Sequence, residues 1–321
     1  FSNVNSQKAF ASSDPNYAKY VNLGEAALGT EKYDSCIIYY KEAFKIKQTS
    51  VLSTLRAAAC AYSGGNKEVL QQYMDKAFEL NWDQAKGIYE NYPEFEYLKG
   101  SDFEKTIQTR WTAEAKASGL DLELMEEFAV IQKTDQEQRG YMREVQDKYG
   151  WDSPQMDSLW KLQTAADEAN LAKIEEVIAE HGYPGKSLVG SNYMGTAFLV
   201  IQHSNQEAQE KYLPLLKQAA DDGELRWSSV ALMIDRVLLG QGKKQTYGSQ
   251  VNTDQETGEY YFGAIENPYQ IDSIRNSVGL GPLQSYADHW EFTWDPDKHI
   301  ARHKEIEAKM KEALKAKEKK E

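Results

Sequence analysis

The stretch Tyr20–Gln48, YVNLGEAALGTEKYDSCIIYYKEAFKIKQ, sets the architecture. Its apolar positions recur at helical rather than alternating spacing. Leu23 and Gly24, then Tyr33, Cys36, Tyr40 and Ala43, put small residues where two antiparallel helices approach and large ones between them. A second, less regular copy follows, with Leu55, Ala58 and Ala59 on its first helix, a Gly64-Gly65 turn, and Leu70, Met74 and Ala77 on its second. Such hairpins cannot bury their apolar faces alone, so neighbours must stack on them.

These spacings are those of a tetratricopeptide repeat, and residues 16–118 are predicted to form tetratricopeptide-like hairpins with a helical cap. Two copies fall short of the minimum of about three for a free-standing array. Trp82, Tyr89, Phe95, Leu98, Phe103 and Trp111, around the break at Pro93, are therefore expected to form a capping core. Residues 1–15 read as a polar tether ending in the helix start Asp14-Pro15. Gly119 marks the expected boundary to a second helical domain over 119–290, which a charged C-terminal helix follows over 291–321.

With 41% hydrophobic and 27% charged residues, the 321-residue chain is of globular type and long enough for two domains. Its net charge of -13 disfavours nucleic acid as a partner, since phosphate binding draws on Lys and Arg. No run approaches the ~20 apolar residues that span a bilayer. The start at Phe1, followed by SNVNSQ, reads as a mature form, which places the protein in the periplasm or cell envelope, with the cytoplasm as the alternative. Cys36 and Cys60 are too few for a disulfide scaffold or a four-Cys zinc site; buried thiols are expected, and a disulfide between them is the alternative.

From Asp121 a long helix carries Leu124, Phe128, Ile131, Asp135, Gln138, Met142 and Val145 on one face, so it either buries polar residues or turns that face from the core. A buried Asp135 requires a cation such as Arg139. Met156, Trp160, Gln163, Asp167, Asn170, Ile174 and Val177 form a second seam, in which Asp167 and Asn170 are good N-caps and a helix restart is expected. HGYPG at 181–185 is a stop signal. Residues 188–203 read as one buried helix ending at His203, a structural residue in one reading and a general base in the other.

Ser228–Gln250, SSVALMIDRVLLGQGKKQTYGSQ, is apolar nearly all round as far as Gly240, with Asp235 and Arg236 set within it. Adjacent helical residues point about 100 degrees apart. Each is therefore expected to find its partner elsewhere, among Asp135, Arg139, Asp167 and His203. QTYGSQV, TDQETGE and YYFGAI read as strand, turn and strand, a β-hairpin near 245–265. The fold class is thus mainly α with one hairpin. His299 and His303 lie one turn apart, but Ile300 stands where a zincin needs glutamate, so no metal site is expected. GLGP at 279–282 lacks the setting of a phosphate loop, and no cofactor is implied. Lys298–Glu321, at net +4, reads as a solvated helix rather than a membrane anchor.

Residues 119–290 resemble an uncharacterised bacterial domain family marked by Asp-Gln with Arg three positions on, a Gly-aromatic-Pro turn, Gln-His, Asp-Arg and Gln-x-Tyr-Gly-Thr-Gln. Here these are Asp135, Gln136 and Arg139; Gly182, Tyr183 and Pro184; Gln202 and His203; Asp235 and Arg236; and Gln245, Tyr247, Gly248, Ser249 and Gln250. Ser249 and Tyr183 stand where the family has Thr and often Trp. The resemblance implies no activity.

Three readings of function follow. In the first, the repeats bind a protein or peptide partner, and Asp135, Gln136, Arg139, Gln202, Arg236, Gln245, Tyr247 and Gln250 hold a small polar or peptide ligand. In the second, a hydrolase-type enzyme uses His203 as general base with Asp235 in its catalytic set, while Arg236, Gln245 and Gln250 hold substrate. No Ser or Cys nucleophile motif accompanies them. In the third, the polar residues only fix helix packing.

Overall fold

Asp14 accepts the amides of Asn16 and Tyr17, and Pro15 occupies the first helical position, so α1 (Pro15–Gly29) begins at a capped end. The computed structural model describes residues 14–254 and 257–318, with side chains to residue 312 in the last helix. The first thirteen residues of the expected tether lie outside the described residues. The chain divides into two compact units, Phe1–Leu122 and Glu123–Glu321.

In the first unit α1 packs on α2 (Tyr33–Ile46), α2 on α3 (Val51–Ser63) and α3 on α4 (Lys67–Asn91). Gly24 is where α1 meets α2: a Cβ there would stand 2.7 Å from the Tyr40 ring, so any side chain would push the two helices apart. Helix α3 is buried on nearly every side, which its run of small residues Ala57–Ala61 permits. At Asn81 the backbone of α4 leaves helical geometry, and the Asn81 side chain caps the resumed helix by accepting the Gln84 amide at 2.9 Å. A 3-10 turn (Pro93–Leu98) and α5 (Asp102–Ala117) complete the unit, with buried Tyr89 packed on Phe95 and Phe103, and buried Trp111 on Trp82. Arg56 pairs with Glu25 at 3.1 Å and Glu94 at 2.6 Å, tying α1, α3 and the 3-10 turn.

Cys36 and Cys60 are fully buried, as expected, but they are not thiols: they form a disulfide joining α2 to α3. Both lie on the faces that these helices present to each other, with Cα atoms 6.1 Å apart, within the reach of a bridge.

The second unit opens with two long helices, α6 (Leu122–Tyr149) and α7 (Pro154–His181), the latter capped by Ser153. No restart occurs at Asp167 or Asn170, because α7 runs unbroken through both and their side chains serve helix-to-helix contacts instead. The single helix expected over 188–203 is two, α8 (Lys186–Tyr193) and α9 (Thr196–His203), separated at Met194-Gly195; the positive φ of Gly190 kinks α8 itself. Then come α10 (Gln206–Asp221) and α11 (Trp227–Gly240), which pack together.

The β-hairpin is shorter than the sequence implies. Strand β1 (Val251–Thr253) pairs antiparallel with β2 (Tyr260–Phe262), and QTYGSQ before it is a loop. Residues 255 and 256 of the expected turn lie outside the described residues. Behind the hairpin, Phe262, Ile265, Ile271, Leu283 and Ala287 form a small core to which α12 (Ile271–Asn276) and α13 (Leu283–Ala287) contribute. The last helix, α14 (Pro296–Glu318), starts at Asp295, which accepts the amides of Asp297 and Lys298. Among the described residues no helix is long and apolar enough to cross a membrane.

His299 and His303 on α14 face this small core. His299 Nε2 accepts the Ile265 amide at 3.1 Å, and His303 Nε2 donates to the Phe262 carbonyl at 2.9 Å. Burial, with help from neighbouring His303 and Lys244, pushes the His299 ring down to about 4.

Two predictions follow from this fold. Removing the disulfide by Cys36→Ser with Cys60→Ser frees a 24-residue separation. On loop-closure grounds the first unit is expected to lose about 3 kcal/mol, which urea unfolding with and without reductant measures. For His299, the unfolded chain takes up a proton below pH 6.5 while the folded chain resists until about 4. The contribution is therefore complete above pH 6.5, is lost as pH falls through that window, and amounts to on the order of 2 kcal/mol. His299→Gln, read by unfolding at pH 7 and pH 4.5, is expected to flatten the dependence.

Candidate functional site

The expected site residues separate into two groups, and helix geometry explains the first. On α6, Asp135 and Arg139 are one turn apart; on α7, Gln163 and Asp167 are also one turn apart, so each helix aims two polar side chains at the other. Asp135 is fully buried, so the polar face of α6 does not turn away from the core. Its carboxylate accepts from His203 Nδ1 on α9 at 2.9 and 3.0 Å and from Gln136 Nε2 at 2.6 Å, with Arg139 Nη1 3.4 Å away. Arg139 also donates to the Asp135 carbonyl and pairs with Asp167 at 2.7 Å. Gln163, fully buried, donates to Asp167 at 2.8 Å and to the Asp135 carbonyl at 3.3 Å.

A carboxylate only accepts, so the His203 ring proton bonded to it sits on Nδ1. In the neutral ring Nε2 then carries a lone pair, and His203 keeps 19% of its side-chain surface in solvent. Asp135 is sealed below it. Arg139 and Asp167 are similarly part-exposed, at 21% and 18%. Water thus reaches the upper edge of this cluster while its floor is dry.

Arg236 approaches from α11, donating Nη1 to the carbonyl of Gln202, the residue before His203, at 3.3 Å. Gln202 contributes its backbone here, accepting also from Gln209 at 3.0 Å. Among the described residues Arg236 has no carboxylate partner, and its Nε is buried without an acceptor. Burial pulls its pKa down.

Asp235 belongs to the second group, and the expectation that it pairs with an earlier helix is corrected. Its carboxylate accepts the amides of Thr246 at 2.7 Å, Tyr247 at 2.9 Å and Ser249 at 2.9 Å, all from the loop that follows its own helix. This explains the missing strand: amides turned toward a carboxylate cannot join a ladder. Gly248 has φ +63, and a Cβ there would meet Ile265 at 3.0 Å, so the turn requires glycine. Gln245, fully buried, donates to the carbonyls of Gly263 at 2.9 Å and Gln250 at 3.1 Å and accepts the Gln250 amide at 2.7 Å. Burial pushes the Asp235 carboxyl up, and the loop amides pull it back.

Gln245, Tyr247, Gln250 and Asp235 are thus placed to build a loop rather than to face the His203 cluster. Arg275, which the sequence reading left out of the site, completes this loop by donating to the carbonyls of Tyr247 at 2.8 Å and Gly281 at 2.7 Å. The signal was legible: Ile271, Ile274 and Arg275 share one helix face, so an arginine had to enter the core. Gln163 was visible only as a polar residue within its seam. Among the described residues no group of three His, Cys, Asp or Glu side chains stands ready for a metal.

Truncation of Asp235 to Ala orphans three loop amides at once. It is expected to cost the second unit about 3 kcal/mol or more, with Asp235→Asn, which retains an acceptor, costing less; urea midpoints of the two variants decide the order.

Residues 122–295 match a family of unknown function, DUF6624. No curated protein and no solved structure matches the chain. The matched stretch contains α6 through α13, with both the His203 cluster and the Asp235 loop, and spans more than half of the sequence. The chain belongs to the DUF6624 family.

Proposed function

We propose that the DUF6624 unit binds a small anionic ligand beside His203 and uses that ring as a general base for hydrolysis, with water as the nucleophile. The observation that carries this reading is the pairing of fully buried Asp135 with part-exposed His203. Asp135 holds the proton on Nδ1, and Nε2 is left to accept one from water. Arg236, a cation without a carboxylate partner among the described residues, supports an anionic group on the substrate. Both cysteines are bonded to each other, so neither supplies a nucleophile.

For the first unit, our reading is a pair of tetratricopeptide-like hairpins that dock a protein or peptide segment. The contact of Gly24 with Tyr40 supports the repeat spacing. The buried disulfide supports a periplasmic or cell-envelope location, because such bonds persist in oxidising compartments.

Hydrolysis of para-nitrophenyl phosphate, bis(para-nitrophenyl) phosphate and mono(para-nitrophenyl) succinate by the full chain tests the enzymatic reading. His203→Gln is expected to reduce turnover about 100-fold or more with its melting temperature kept, and Arg236→Gln to raise KM. A full chain inactive on all three, an undiminished His203→Gln enzyme, or a variant that unfolds would return the pair to a packing role.

A further inference from the structure

A cleft of about 580 Å³ lies in the second unit, away from His203, between β2 and the segment leading into α14. Tyr260, Tyr261, Phe262, Trp290, Phe292 and Trp294 supply its aromatic lining. Three of these rings are accounted for by packing: Phe262 meets Phe292 at 5.0 Å and Trp294 at 5.6 Å, and all three belong to or pack against the small core. Tyr260, Tyr261 and Trp290 stand outside that core. Tyr260 and Trp290 lie 5.0 Å apart between centroids, tilted 57° to each other; Tyr260 is 43% exposed and offers an open ring face, with half-buried Trp290 beside it.

Charge narrows what the cleft can receive. The cleft carries three carboxylates, Glu259, Glu291 and Asp295, against two cations, Lys298 and Arg302. Arg302 is already engaged: it pairs with Asp254 at 2.6 Å and Glu259 at 3.6 Å and lies 4.2 Å over the Tyr261 ring. With Arg302 and Glu259 paired, Glu291 and Asp295 face Lys298, so a phosphate or carboxylate ligand would enter a site with net negative charge. A neutral molecule with many hydroxyl groups meets no such penalty. Its hydroxyls can donate to the carboxylates and accept from Lys298, while an apolar ring face lies on the Tyr260 ring. The volume is of small-ligand size.

We infer that this cleft is a binding site for a neutral oligosaccharide, stacked on Tyr260 beside Trp290 and hydrogen-bonded by Glu291 and Lys298. This site is separate from the His203 cluster and does not rest on the reaction proposed there. The test is titration of the full chain with cellopentaose, xylopentaose, laminaripentaose, maltopentaose, mannopentaose and penta-N-acetylchitopentaose, with adenosine as the planar control, followed by tryptophan fluorescence and calorimetry. At least one saccharide is expected to give a saturable isotherm, weakened about tenfold in Tyr260→Ala. Because Tyr260 is largely exposed and outside the core, that variant is expected to melt within about 2 °C of the parent. A Trp290→Phe variant, which keeps a ring, is expected to bind more tightly than Trp290→Ala. No isotherm with any saccharide, saturable binding of adenosine alone, or saccharide affinity unchanged in Tyr260→Ala would overturn the inference.

Discussion

The carboxylate of Asp235 takes the amides of Thr246, Tyr247 and Ser249, and the second half of the DUF6624 unit is arranged by that anchor. Once those amides point inward, the chain cannot extend as a strand until Val251, and the hairpin begins late. Gly248 then sits against Ile265 and Leu283, so the loop also closes one side of the small core. Arg275 reaches the same loop from α12 and takes the Tyr247 carbonyl that the turn leaves free. One acidic side chain inside an apolar helix therefore determines where strands, core and arginine lie.

The His203 cluster follows a different rule. There the polar residues come from helices far apart in sequence, and helical periodicity aligns them: Asp135 with Arg139, Gln163 with Asp167. Burial of Asp135 is tolerable because its oxygens are engaged by His203 and Gln136, with Arg139 close by. The two groups meet at α11, where neighbouring Asp235 and Arg236 point apart, one to the loop and the other to the backbone before His203. Their divergence is the helical rotation of adjacent side chains, visible in the sequence; which element each would reach was not.

Period and caps made the helices of the first unit legible, as at Asp14-Pro15 and at the Gly24 approach to Tyr40. They failed where a polar residue has two uses. Asp167 and Asn170 are good caps by type, yet inside α7 they serve contacts with α6, because tertiary partners outweigh local preference. QTYGSQ alternates like a strand, but a carboxylate eleven residues back competes for its amides, and no local pattern records that competition. Cys36 and Cys60 read as buried thiols because burial is what their setting implies; only the facing of α2 and α3 makes them a bond.

A network that merely fixed the packing of α6, α7 and α9 would not need charge. Apolar residues of similar volume commonly hold buried helix interfaces as well as or better than ion pairs, since they avoid desolvation. Here Asp135 is sealed from water while its partner His203 is left part-open, and Arg139 is shared between two carboxylates. Packing alone is indifferent to which nitrogen of a histidine faces solvent. Asp135 fixes the tautomer, because its carboxylate accepts from Nδ1. Arg236 adds a cation bonded to the carbonyl before His203, with no carboxylate partner among the described residues. The dry floor is not fully matched: Gln163 Oε1 and Asn170 Nδ2 are buried without a partner, and so is Arg236 Nε. Buried polar atoms left unmatched are a cost that apolar side chains of similar volume would avoid, which supports the proposed binding role over packing alone.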